Sequence, residues 1–148
     1  MRMVKAFSIA SMLILSFGAA AGQLITKPSQ HDVKSTMDRL ESIVKGKGMT
    51  VFARIDHRAN AAKVNEKMPR AEVLIFGNPR MGTRIMLRDT RAGLDLPVRV
   101  LVYQDYDGKA WITYHNPQEL KQTYREEGCM AIDKMEKALQ TITDAAAH

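Results

Sequence analysis

Hydrophobic residues recur along this 148-residue chain in two periods, and one almost wholly apolar block precedes both. The block runs from Ala6 to Phe17, behind Arg2 and Lys5 and ahead of Gly18-Ala19-Ala20-Ala21-Gly22. A positive segment, a short apolar stretch and an A-x-A sequence predict a signal peptide over residues 1–21. The stretch is shorter than the ~20 apolar residues that span a bilayer, so no transmembrane anchor is expected after processing. The expected product is periplasmic or secreted, with residues 22–148 forming one domain.

Within that domain Leu24-Ile25-Thr26 reads as a short strand stopped by Pro28. Val33, Met37, Leu40 and Val44 then follow at steps of four, three and four, which places them on one helical face. Ser29 and Asp32 form a loose capping signal before this helix, and Lys45-Gly46-Lys47-Gly48 ends it. The period then falls to two. Met49, Val51, Ala53 and Ile55 take one face of a strand, with Thr50, Phe52, Arg54 and Asp56 on the other. Residues 57–68 read as a loop or short helix. Glu72 to Phe76 is a second strand, ended by Gly77-Asn78-Pro79, and residues 80–97 are an irregular excursion with one or two helical turns. Val98–Gln104 and Lys109–His115 form a hairpin around Asp105-Tyr106-Asp107-Gly108. A short helix from Gln118 to about Tyr124 precedes a final helix from Cys129 to about Thr143. The order β-α-β-β-β-β-α predicts an α+β two-layer sandwich, mainly antiparallel, with the helices packed on one face of the sheet.

Charge and cysteine content narrow the function classes. The whole chain carries 22 Lys and Arg against 16 Asp and Glu, a net +6, and losing Arg2 and Lys5 lowers this to +4. Such a mild balance, without a dense basic patch, argues against a nucleic-acid partner. Cys129 is the only cysteine, so no internal disulfide can form. It stands in register with Ile132, Met135, Leu139 and Ile142, which predicts a small buried hydrophobe there.

Several stretches together resemble the domain-of-unknown-function 302 family. They are Phe52-Ala53-Arg54-Ile55-Asp56-His57, Leu74-Ile75-Phe76-Gly77-Asn78-Pro79, Gly82-Thr83, and Leu94-Asp95-Leu96-Pro97 running into Val98-Arg99-Val100-Leu101-Val102-Tyr103, with Asp105-Tyr106-Asp107-Gly108 and Tyr114. The resemblance covers about Leu24 to Ala138. It implies a β-α-β(4)-α domain similar in outline to TATA-binding-protein-like folds, and a homodimer. It implies no activity, and likeness of fold to a DNA binder is no warrant for DNA binding. Arg84, Arg88 and Arg91 depart from the family pattern.

Candidate chemistry collects where strands give way to loops. Asp56 and His57 could form an acid–base pair, although consecutive residues at a strand end point to opposite sides. His57 and His115 both fall at strand ends and would make a minimal metal site if the sheet brought them together, but no HExxH or CxxC spacing supports one. Met81, Met86, Met130 and Met135 could hold copper, yet their spacing suits packing equally well. Arg80, Arg84 and Arg88 are four apart, so a helix would align them. With Arg91 and Arg99 against Asp89 and Asp95, residues 80–99 carry a local +3 that could receive a phosphate or carboxylate. No nucleotide-binding glycine motif or nucleophile elbow is present, and no cofactor is expected.

Three readings follow, in order of preference. The first is an exported binding module for a small anionic or amphipathic ligand, held by Asp56, His57, Asn78, Arg80, Arg84 and Asp95 beside the excursion. The second is an enzyme with His57 as general acid or base. The third is a structural or assembly role through a homodimer surface.

Overall fold

Five strands form one antiparallel sheet: β1 (Leu24–Pro28), β2 (Thr50–Asp56), β3 (Ala71–Gly77), β4 (Val98–Gln104) and β5 (Ala110–His115). Their spatial order is β1-β5-β4-β3-β2, a four-stranded meander with β1 added beside β5. The computed structural model describes residues 22–148, so the expected signal peptide lies outside the described residues. Two long helices, α1 (Val33–Gly46) and α5 (Met130–Ala147), complete a two-layer α+β sandwich. Three short helices, α2 (His57–Ala62), α3 (Pro79–Met86) and α4 (Glu119–Thr123), and a 3-10 turn over Thr90–Leu94 fill the connections.

The core follows the helical periodicity. Val33, Met37, Leu40 and Val44 of α1 and Ile132, Leu139 and Ile142 of α5 are essentially buried. They pack on Leu74 and Phe76 of β3, Val100 and Val102 of β4, and Ile112 and Tyr114 of β5. Cys129 lies in the same cluster, as its register predicts. Capping refines one expectation: Asp32, not Ser29, is the N-cap of α1, accepting the Ser35 N–H at 3.0 Å. Ser29 instead shares a hydrogen bond with the Thr36 hydroxyl at 2.7 Å.

The simple alternation expected in β2 is broken by a bulge. Val51 pairs with Phe76, but Ala53 pairs with Ile75, so Phe52 is the extra residue. Val51 therefore joins the helix-covered face with Met49, whereas Ala53 and Ile55 turn to the opposite face. The slip carries Arg54 beneath α1. Its guanidinium grips Glu72 at 2.7 and 2.6 Å and also donates to Asp38 (2.7 Å) and Glu41 (3.1 Å). Lys34 and Lys45 engage Asp38 and Glu41 from one helical turn away, each at 2.6 Å. Three cations thus balance three carboxylates across the seam between helix and sheet.

Losing Arg54 leaves the Glu72 carboxylate, 9% exposed, without its partner. Arg54→Met should destabilise the fold by about 3 kcal/mol, the low end for breaking a buried pair because Arg54 keeps some contact with water. Asp38→Asn, at the exposed end, should cost under about 1 kcal/mol. Urea melts of the two variants test this, and equal losses would remove the distinction.

The same cluster sets an acid limit. Asp38 is held below its ordinary 3.8 by the Lys34 hydrogen bond and then by Arg54. Glu41 is held below its ordinary 4.5 by Lys45 and then by Arg54. Carboxylates depressed on folding stabilise fully above their unfolded values, and that contribution is lost as pH falls through the folded ones. The urea midpoint should therefore drop as pH falls below 4.5 and on through the lower folded values. Removing the largest cause of each shift, with Lys34→Gln and Lys45→Gln together, should make the drop shallower.

Candidate functional site

Sheet register separates the polar residues expected to converge. Asp56 pairs with Glu72 at one end of β3, whereas Asn78 follows Gly77 at the other. Six residues of strand put about 20 Å between those ends. Asp95 precedes β4 at the Asn78 end, because Val98 pairs with Phe76. His115 is also at that end, so His57 and His115 are not brought together as a metal pair. Asp56, His57, Asn78 and Asp95 consequently do not share one pocket.

Each of these side chains has a local role. Asp56 Oδ1 accepts the Ala59 N–H at 2.9 Å and caps α2, which commits its carboxylate away from His57. His57 is exposed on the first turn of that helix. Asn78 Oδ1 accepts the Met81 N–H at 3.2 Å and caps α3, with Pro79 at the first helical position. Asp95 accepts the Tyr124 hydroxyl at 2.6 Å, and this hydrogen bond, with burial, raises the phenol above its ordinary 10.0.

The arginines divide in the same way. Arg88 donates to Glu126, a carboxylate 1% exposed, at 2.5 Å. Arg91 closes on Asp89 at 2.6 Å, and Arg99 stands 4.0 Å from Asp95. Arg80 and Arg84 are exposed on α3 and make no ion pair among the described residues.

What the Asn78 end does contain is an apolar chamber of about 310 Å³. Its floor is the end of β3 and β4, with Phe76, Gly77 and Val98. One wall is α5 through Met135, Ala138, Leu139 and Ile142, and another is α3 through Pro79, Gly82 and Met86. Met49 and Phe52, displaced by the bulge, close a third side. No charged side chain lines it, and Asn78 and Thr83 are its only polar side chains. A smaller cleft of about 90 Å³ adjoins it, sharing Val98, Met135 and Leu139. This annex is polar, with Asp95, Arg99, His115, Asn116 and Glu119 around it.

Of the ligand residues expected from sequence, Asn78 therefore borders the chamber and Asp95 the annex. Asp56, His57, Arg80 and Arg84 line neither. The methionines carried a usable signal. Met81, Met86 and Met135 do face one space, joined by Met49, while Met130 is 73% exposed elsewhere.

Known proteins match this architecture. A protein of Brucella suis biovar 1 with the name Fluoride-specific ion channel FluC 1 is 39% identical over 126 residues, covering 84% of this chain and 50% of the relative. The Fluoride-specific ion channel FluC 2 of Brucella melitensis biotype 1 is equally identical, with 47% of its length covered. The chain thus spans about half the length of the curated relatives it matches. Among the described residues no helix is long and apolar enough to cross a membrane. A crystal structure of an uncharacterized conserved protein DUF302 from Bacillus stearothermophilus superposes with a TM-score of 0.75 at 21% identity, covering 83% of this chain and 97% of that one. At that identity the likeness is one of fold. With the family's sequence pattern matched over residues 25–146, the chain belongs to the family Domain of unknown function DUF302.

Proposed function

We propose that this chain is an exported binding module for a small amphipathic molecule, its apolar body in the chamber and its polar end in the annex. The observation that carries this reading is the chamber itself, about 310 Å³ of space without a charged wall. The space opens to solvent beside Phe52 and Thr83, so apolar walls meet water there unless an apolar group covers them. The volume is at the lower end of ligand pockets, roughly 300–1,000 Å³. Four methionines give the walls flexible, polarizable surfaces that adapt to chains of different shape.

The annex supplies the contrast in polarity. Arg99 is beyond hydrogen-bond reach of Asp95, so its guanidinium keeps donors for an uncharged polar head, while Asp95 and Glu119 offer that head acceptors. His115 and Asn116 stand beside it. An acid–base role for His57 gains no support from this geometry, since His57 borders neither space. The fluoride-channel name belongs to proteins about twice as long as the matched stretch, and conduction is not part of this proposal.

Gly82 offers a test that separates binding from folding. A Cβ added there would meet only the Met86 Cε, at 4.0 Å, and a longer side chain would extend from a position that lines the chamber. Gly82→Leu should abolish uptake of a fluorescent medium-chain alcohol. It should also keep or raise stability, since Gly in a helix costs roughly 1 kcal/mol relative to good helix formers. Undiminished uptake by a folded Gly82→Leu protein would end the chamber reading.

A homodimer is a second reading, favoured by the sheet face that α1 and α5 leave uncovered. Ile55, Val73, Ile75, Leu101, Tyr103 and Trp111 lie there, half-buried and outside the main core cluster. The face measures about 24 by 20 Å, somewhat over half of the roughly 800 Å² per partner of an ordinary interface, so a dimer would also engage its flanking loops. Light scattering should give a dimer mass, and Ile75→Lys with Leu101→Lys should give the monomer. A wild-type monomer at micromolar concentration would refute this second reading.

A further inference from the structure

The helix α3 has two faces of unlike chemistry. Gly82, Ile85 and Met86 turn inward, while Arg80, Arg84 and Leu87 follow at steps of four and three along the outer stripe. Leu87 is 81% exposed. Leu94, ending the 3-10 turn, is also 81% exposed, and Met130 is 73% exposed. These side chains are linked through the fold. The Thr90 hydroxyl donates to the Met86 carbonyl at 3.3 Å, and Gly93 packs against the Met86 sulfur, which sets the turn bearing Leu94 beside the end of α3. Arg88 then latches the excursion to Glu126 and the Glu127 carbonyl, just ahead of Met130.

Single exposed apolar residues are ordinary on a protein surface. The combination here is different. Leu87 projects between Arg84 and Arg88, and Arg80 and Arg84 have no carboxylate partner among the described residues, while Asp95 adjoins Leu94 and Glu127 and Asp133 flank Met130 along the chain. None of Arg80, Arg84, Leu87, Leu94 and Met130 lines the chamber or the annex, so no groove awaits a shaped partner at these residues. Apolar anchors that enter the headgroup boundary, ringed by cations that meet phosphates, suit a fluid surface that conforms to them. Guanidiniums in particular bind phosphate oxygens in pairs. We propose that the outer face of residues 79–94, together with Met130, docks this domain on an anionic lipid surface. The chamber lies under the inner face of the same helix, but the docking proposal does not depend on what the chamber holds.

The protein is tested as residues 22–148, the described domain, whose fold accounts for 97% of the Bacillus stearothermophilus chain. Co-sedimentation with vesicles of phosphatidylcholine, with and without phosphatidylglycerol, should show binding only to the mixed vesicles and a decline with salt. Arg80→Glu with Arg84→Glu should lower partitioning about twentyfold or more. Leu87→Ser with Leu94→Ser should lower it about tenfold or more. Both variants should keep wild-type circular dichroism and melting, since all four side chains are exposed. Glycerol phosphate should compete weakly. Full competition by it, with neutral leucine variants, would reduce the patch to a free-anion site and overturn the proposal. Equal binding to both vesicle types, or binding unchanged in both double variants, would overturn it as well. No binding to mixed vesicles would do the same and leave a protein partner as the occupant of the patch.

Discussion

A five-stranded sheet is wider than the two helices that must cover it. Strands about 4.8 Å apart make a sheet about 24 Å across, while two packed helices, each about 10 Å thick, cover about 20 Å. In this protein α1 lies over β2, β3 and β4, and α5 packs beside it. The remaining corner is at the end of β3 and β4, and the chain fills it with the excursion from Asn78 to Pro97. That filling is incomplete. Glycine at position 82 and long, flexible methionines at 81 and 86 reach over the corner without closing it. The chamber is thus the part of the helix-covered face, at the ends of β3 and β4, that the excursion spans without filling.

The seam between α1 and the sheet depends on a residue whose sidedness was hidden in the sequence. Helical periodicity disclosed the apolar stripes of α1 and α5, because each stripe recurs over several turns and no single exception can mask it. A strand offers only three or four positions per face, and one bulge at Phe52 reverses everything after it. Arg54 was the available sign, a charged residue amid Val51, Phe52, Ala53 and Ile55 with Glu72 on the neighbouring strand. Its three carboxylate partners come from two other elements, and spacing along one strand cannot show that. The hairpin was legible for the opposite reason. Asp105 accepts the N–H groups of both Asp107 and Lys109, and Gly108 takes a φ of 84°, all within five residues.

The candidate site was legible by composition and not by place. Asp56, His57, Asn78 and Asp95 all stand at strand ends, but an antiparallel sheet has two ends, and pairing register decides which residue goes to which. Register follows from the whole set of cross-strand contacts, so the separation of Asp56 from Asn78 is a tertiary fact. The chamber itself was the harder element to see. It is lined by side chains with ordinary core chemistry, and only their failure to meet distinguishes them from packing.

An apolar space survives only if its walls are held from outside. The contacts that hold them are the polar ones first suspected of binding a ligand. Asn78 caps α3, and Asp89 receives the Arg91 N–H and guanidinium where the 3-10 turn begins. Asp95 ties that turn to Tyr124, and Arg88 ties it to the buried carboxylate of Glu126. Inward collapse of the excursion would break these contacts together and strand the Glu126 charge at 1% exposure, a cost of several kcal/mol in general terms. Closing the chamber would regain dispersion contacts that are small singly, about 0.1–0.2 kcal/mol for each atom pair, and count only in sum. The polar frame thus opposes that gain with contacts that must break together, and the residues that look chemical at this end of the sheet border an apolar space and hold its walls.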